Sequence, residues 1–127
     1  MEKKRVLLVE DNEDNFELVR FLLDRAGYAV IPGKTGRDAI QLSQEELPDL
    51  ILLDLSIPDI DGWEAAQEIK ANPQTAHIPL FALTAHTLPG DRQRAKDSGF
   101  DGFISKPIDV VGFGESIHKV LENVAKK

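Results

Sequence analysis

The chain contains no cysteine. Neither a disulfide nor thiolate chemistry is available to it, and any metal would have to be held by oxygen or imidazole, which favours a hard cation. Long hydrophobic runs are missing as well, since no apolar stretch approaches the ~20 residues that a membrane-spanning helix needs. The opening "MEKKRVLLVEDN" turns acidic after four apolar residues, too soon for a signal peptide, so no membrane association and a cytoplasmic location are expected. Positive charge is in deficit: 15 Lys and Arg stand against 22 Asp and Glu, and a net charge of −7 argues against direct DNA binding by the surface as a whole. No G-x-x-x-x-G-K-[ST] motif follows the first apolar segment, which excludes a P-loop nucleotidase. No linker or low-complexity tract divides the 127 residues, so a single domain over 1–127 is expected, long enough to bury a core without staples.

What is present is a regular alternation. Five short apolar segments, Val6–Val9, Tyr28–Ile31, Leu50–Leu53, Leu80–Leu83 and Gly102–Ile104, alternate with five helix-length stretches. The first, third and fourth are nearly continuous apolar runs, as strands covered on both faces are. Phe16, Val19, Leu23 and Ala26 fall on one face of a helix ended by Gly27, and Thr35 with Asp38 reads as a capping box before a helix stopped at Pro48. Phe113, Ile117, Val120, Leu121 and Val124 recur at helical spacing in the last stretch. The series predicts a flavodoxin-like α/β fold, a doubly wound five-stranded parallel sheet with helices on both faces. The stretch 88–98 offers only Leu88 and Ala95 as apolar anchors, so the fourth helix should bury least and open at least cost.

In such a sheet, ligands bind outside the carboxyl ends of the strands, where strand order reverses. Strand one runs into Glu10 and Asp11, strand three ends at Asp54, strand four at Thr84, and strand five is followed by Ser105 and Lys106. Strand two ends blandly in "IPGKTG", which suggests that it lies at the edge and that the spatial order is 2-1-3-4-5. Three carboxylates converging between strands one and three would repel one another unless a cation neutralised them. Oxygen-only ligands in an open, loop-lined site suit Mg2+. An acid flanked by a metal, the Lys106 ammonium and the Thr84 hydroxyl is a nucleophile placed beside groups that stabilise a transferring phosphoryl.

Four segments in this order, "LLVEDNEDN", "PDLILLDLSIPDIDG", "IPLFALTAH" and "GFDGFISKPI", resemble the response-regulator receiver domain of two-component signalling over essentially the full chain. The resemblance implies that Asp54 accepts a phosphoryl group from the phosphohistidine of a histidine kinase or histidine phosphotransfer protein. It further implies that Asp11 and Asp54 ligate Mg2+ directly, with Glu10 acting through water and the Ser56 backbone carbonyl completing the set. Thr84 and Lys106 would contact the phosphoryl oxygens, and Phe103 matches the family's switch aromatic, which turns inward as Thr84 moves. The Lys106–Pro107 peptide is usually cis in this family, proline being the residue for which cis is cheap.

Other polar residues carry plainer readings. Asp61 reads as an N-cap for the "GWEAAQEIKA" helix, and Asp59 as a loop acid, rather than as ligands. His86 stands two residues beyond Thr84, where the family tunes phosphoryl lifetime, or else is an exposed loop imidazole. His77 and His118 read as surface residues, and Trp63 as a packing residue that can report metal binding by fluorescence.

The expected function is a phosphorylation-controlled binding module and not an enzyme. Its output is contact with a downstream protein through the fourth helix, fifth strand and fifth helix, as a free-standing monomer or weak phosphorylation-dependent dimer. A receiver cut from a hybrid histidine kinase is the alternative. An Asp-nucleophile phosphatase would need a second acid two residues after the first, where this chain has Ser56.

Overall fold

The computed structural model describes residues 3–55, 62–84, 97, 99–105 and 111–125. They form β1 (Arg5–Val9), α1 (Glu13–Arg25), β2 (Ala29–Gly33), α2 (Gly36–Glu46), β3 (Leu50–Asp54), α3 (Gly62–Ala71), β4 (Leu80–Thr84), β5 (Gly102–Ser105) and a C-terminal helix (Phe113–Ala125). All strand pairs are parallel, and the sheet order is β2-β1-β3-β4-β5, the flavodoxin-like arrangement expected. The fourth helix expected over 88–98 lies outside the described residues apart from Asp97.

Alternation along the strands divides the core into two layers. Leu7, Val9, Ile51, Leu53, Leu80 and Ala82 face Ala39 of α2 and Ala65, Ala66 and Ile69 of α3. Val6, Leu8, Leu50, Leu52 and Leu83 face Val19, Leu22 and Leu23 of α1 and Phe113 and Ile117 of the C-terminal helix. Every residue of β3 is buried. A large aliphatic side chain so placed stabilises the fold by ~2 kcal/mol, so packing on both faces anchors this central strand.

The edge strand runs from Ala29 to Gly33 rather than from Tyr28 to Ile31, and so takes in Pro32. The ladder explains why proline is tolerated there. Ala29 N–H donates to Lys4 O at 2.9 Å and Gly33 O accepts from Glu10 N–H at 3.0 Å. Odd-numbered main-chain groups of β2 therefore face β1, and the donor that Pro32 lacks falls on the open edge. Strands β3, β4 and β5 each continue one residue past the apolar run, to Asp54, Thr84 and Ser105.

Local chemistry ends the helices where the sequence suggests. Asn12 Oδ1 accepts from Asn15 N–H at 3.0 Å to cap α1, and Gly27, at φ +97°, supplies the left-handed turn after it. Thr35 Oγ1 accepts from Asp38 N–H at 3.0 Å, while the Asp38 carboxylate accepts from Lys34 N–H, also at 3.0 Å. Helix α2 has no basic residue in its last turn and ends on Leu47 at φ 45°. Arg5 of β1 supplies the missing cation: its guanidinium donates to the Glu46 and Leu47 carbonyls and pairs with the Glu46 carboxylate at 3.2 Å.

Candidate functional site

The site grows from the ends of β1 and β3. Val9 pairs with Leu53 in the parallel ladder, so Glu10 and Asp54 follow side by side, one step further along neighbouring strands. Both are only 2% exposed. Glu10 is anchored by its N–H to Gly33 O, and the main chain beyond Asp54 is held by Leu55 N–H donating to Leu83 O at 3.2 Å. Asp54 thus sits on rigid backbone on both sides, a carboxylate fixed by the buried strand that precedes it. By alternation Glu10 continues the row of Val6 and Leu8, and Asp54 that of Leu50 and Leu52, which share one layer of the core.

Asp11 comes next along the chain and is exposed, in the short connection before the Asn12 cap of α1. On the other side, Asp54 is in register with Leu83, and Thr84 with Ser105. The backbone therefore brings Glu10, Asp11, Asp54 and Thr84 to one end of the sheet, with Phe103 within β5, two residues before that strand ends. Ser56 and Lys106, like His86, Asp59 and Asp61, lie outside the described residues.

Burying two carboxylates together is costly unless cations or donors face them. The donor set, two buried acids and one solvent-open acid with no sulfur, fits Mg2+, which keeps several waters and needs only one or two carboxylates. It does not form a cage: among the described residues no group of three acidic or imidazole side chains could hold a metal by itself. A cation held by these acids would also draw on water and main-chain oxygen, as Mg2+ does.

One reading of a single residue changes, that of His118, while the reading of Trp63 as a packing residue holds. His118 is exposed, but its Nδ1 is hydrogen-bonded to the Tyr28 hydroxyl, a partner no local pattern could indicate; His77 is exposed as expected. Trp63 packs edge-on to Phe100, with ring centroids 5.8 Å apart.

Comparison with known proteins agrees with this geometry. The family model of the response regulator receiver domain matches residues 6–118. The polar-differentiation response regulator DivK of Brucella ovis is 41% identical over 118 residues, covering 93% of this chain and 96% of the relative. Among solved structures, the chemotaxis response regulator CheY4 of Vibrio cholerae superposes with TM-score 0.87 at 28% identity, covering 94% of this chain and 99% of its own. The receiver domain of the sensor histidine kinase PA1611 from Pseudomonas aeruginosa, solved with a magnesium ion coordinated in the active site cleft, superposes with TM-score 0.85 at 29% identity, covering 99% and 100%. No described helix is long and apolar enough to cross a membrane. With its sheet order, its buried acid at the end of the central strand and a family match over most of its length, the chain belongs to the response regulator receiver domains of two-component signalling.

Proposed function

We infer that Asp54 is the phosphoacceptor and that this receiver takes its phosphoryl group from a histidine kinase or histidine phosphotransfer protein. The observation that carries the reading is the placement of Asp54, 2% exposed at the end of a fully buried strand and one register step beyond the Val9–Leu53 pair that also leads into Glu10. A carboxylate oxygen of Asp54 attacks the phosphorus, the bond to the donor imidazole nitrogen breaks, and the electron pair leaves with the imidazole. Rigid backbone on both sides of Asp54 supports this role by limiting the search for an in-line approach.

Phosphorylation and Mg2+ binding are general features of the family. In this chain Asp11, Asp54 and the Ser56 carbonyl would ligate Mg2+, with Glu10 acting through water; the ion supplies charge neutralisation for the entering phosphoryl oxygens. Thr84 donates its hydroxyl and Lys106 its ammonium to those oxygens. Drawing Thr84 inward then shifts Phe103 and, through it, a protein-binding surface made by the fourth helix region, β5 and the C-terminal helix. The output is contact with a downstream protein.

The test is incubation with a small phosphodonor and Mg2+ followed by intact mass measurement. One added phosphoryl group is expected, absent in Asp54→Asn. Labelling that survives the substitution overturns the assignment.

A further inference from the structure

Helix α1 carries an exposed stripe that neither the core nor the site uses. Asp14, Leu18, Phe21 and Arg25 follow one another at intervals of four, three and four residues, the spacing that keeps side chains on a single helix face. All four are exposed: Leu18 at 38% and Phe21 at 58% are two of the few large apolar side chains facing solvent among the described residues, and Asp14 and Arg25 flank them. The neighbouring Arg20 is committed to Glu17 and Asp24, at 2.6 and 3.2 Å. Neither Asp14 nor Arg25 is engaged by another described residue. Beside the stripe lies an apolar cleft bounded by Leu22, Arg25, Ala26, Val111 and Gly114, with Val111 96% exposed at its rim.

The stripe is self-complementary, and we propose that it pairs two copies of this chain through their α1 helices, antiparallel about a two-fold axis. With the axis passing between Val19 and Arg20, Leu18 of each copy faces Phe21 of the other, and Asp14 faces Arg25. Two apolar contacts at the centre and two ion pairs at the ends then form from a single patch, as an isologous interface requires. Parallel pairing would set Asp14 against Asp14 and Arg25 against Arg25. Antiparallel packing also opposes the two helix dipoles favourably. The charge order along the stripe, acid toward the helix start and base in its last turn, is what selects a second copy over a partner of uniform charge.

The contact is short. From Asp14 to Arg25 the helix rises about 16 Å, so the dimer belongs with the small, transient interfaces below about 1,000 Å². The inference does not rest on the phosphoryl chemistry, and it is tested in an Asp54→Asn background so that failure of either reading is distinguishable.

Sedimentation velocity up to about 1 mM protein should show reversible growth toward twice the monomer mass. Phe21→Asp should abolish it. Asp14→Arg alone and Arg25→Asp alone should each weaken it at least ~10-fold, because each sets like charges across the axis. Mixing those two single variants should restore association as a heterodimer, since both end pairs are then complementary. Circular dichroism confirms that each variant is folded, and all four positions are exposed, so the fold tolerates the changes. A chain that stays monomeric throughout, association that persists in Phe21→Asp, or a mixture that remains monomeric overturns the proposal. So does a monomeric chain in which Phe21→Asp, made with Asp54 intact, slows phosphoryl transfer from a histidine phosphotransfer protein, for the stripe would then belong to the phosphodonor.

Discussion

The hydroxyl of Tyr28 and Nδ1 of His118 are hydrogen-bonded partners 90 residues apart in the chain, their rings tilted at 48° with centroids 5.2 Å apart. Tyr28 is 4% exposed at the entry to the edge strand, within the core layer that also holds Phe113 and Ile117. A buried phenol needs a partner for its hydroxyl. The C-terminal helix provides it, and the bond fastens that helix to the start of β2.

The pair predicts an alkaline limb in stability. Burial pushes the Tyr28 phenol above its ordinary value of 10.0, and the negative charge of Glu122 acts in the same direction. The unfolded chain therefore ionises first, so the contribution is fully present below about pH 10 and is lost as pH rises through the folded value. Urea midpoints measured against pH should fall above pH 10 in the wild type and less steeply in Tyr28→Phe. An unchanged slope in the variant would place the alkaline transition elsewhere.

Gly102 should not tolerate alanine. A Cβ there would lie 2.6 Å from Cε2 of the Phe81 ring, which rests on the β5 backbone at its register partner. Gly102→Ala is expected to cost about 1–3 kcal/mol in chemical denaturation, and Phe81→Leu in the same chain should recover part of it. A neutral Gly102→Ala would mean that the ring moves freely.

Lys70 holds three acceptors at the end of the sheet away from the site. Its Nζ donates to Ala76 O at 3.1 Å, Ile78 O at 2.8 Å and the Asp101 carboxylate at 2.9 Å, and Asp101 also accepts from Leu80 N–H at 2.8 Å. The side chain is only 19% exposed, so Lys70→Met leaves part-buried carbonyls unsatisfied and should cost about 2 kcal/mol. Phosphodonor labelling at Asp54 should be unaffected in the folded variant. Loss of labelling without loss of stability would contradict this division between scaffold and site.

Metal binding should appear as stabilisation. Mg2+ at about 100 times its dissociation constant raises folded-state stability by roughly 2.7 kcal/mol, read as a rise in thermal midpoint or a change in Trp63 fluorescence. Asp11 is exposed, so Asp11→Ala should fold normally and lose that rise. A Mg2+ response unchanged in Asp11→Ala removes this residue from the metal site.

The proposed role of Lys106, an ammonium that would couple the phosphoryl oxygens to the switch, predicts that Lys106→Ala still accepts the phosphoryl group but signals poorly. Partner binding by the phosphorylated variant, compared with wild type, measures this. Equal binding would show that the coupling runs elsewhere.

The strands were legible because burial on both faces leaves a periodic trace: "LILL" at Leu50–Leu53 and "VLLV" at Val6–Val9 read as covered strands and are covered. The edge strand was legible only in part: the apolar segment Tyr28–Ile31 stops short of Pro32 and Gly33, which the ladder takes in because the proline nitrogen lies on the open side. Glu10 and Asp54 could be placed at one end of the sheet from strand order alone. That both would be nearly fully buried could not, because exposure depends on what packs over a strand end. Lys70 with Asp101, Arg5 with Glu46 and Tyr28 with His118 were invisible, each joining residues far apart in sequence whose own neighbours give no sign of the partner.

The sequence by itself determined the class of fold, the strand order and the family, because hydrophobic period, turn chemistry and the positions of acids are local properties of a chain. Tertiary structure decided which carboxylates are withdrawn from water, which cations serve distant helix ends, and which face of α1 stays uncovered. Those outcomes depend on parallel strands being set in register and helices being laid across them, so they exist only once segments remote in sequence have been brought together.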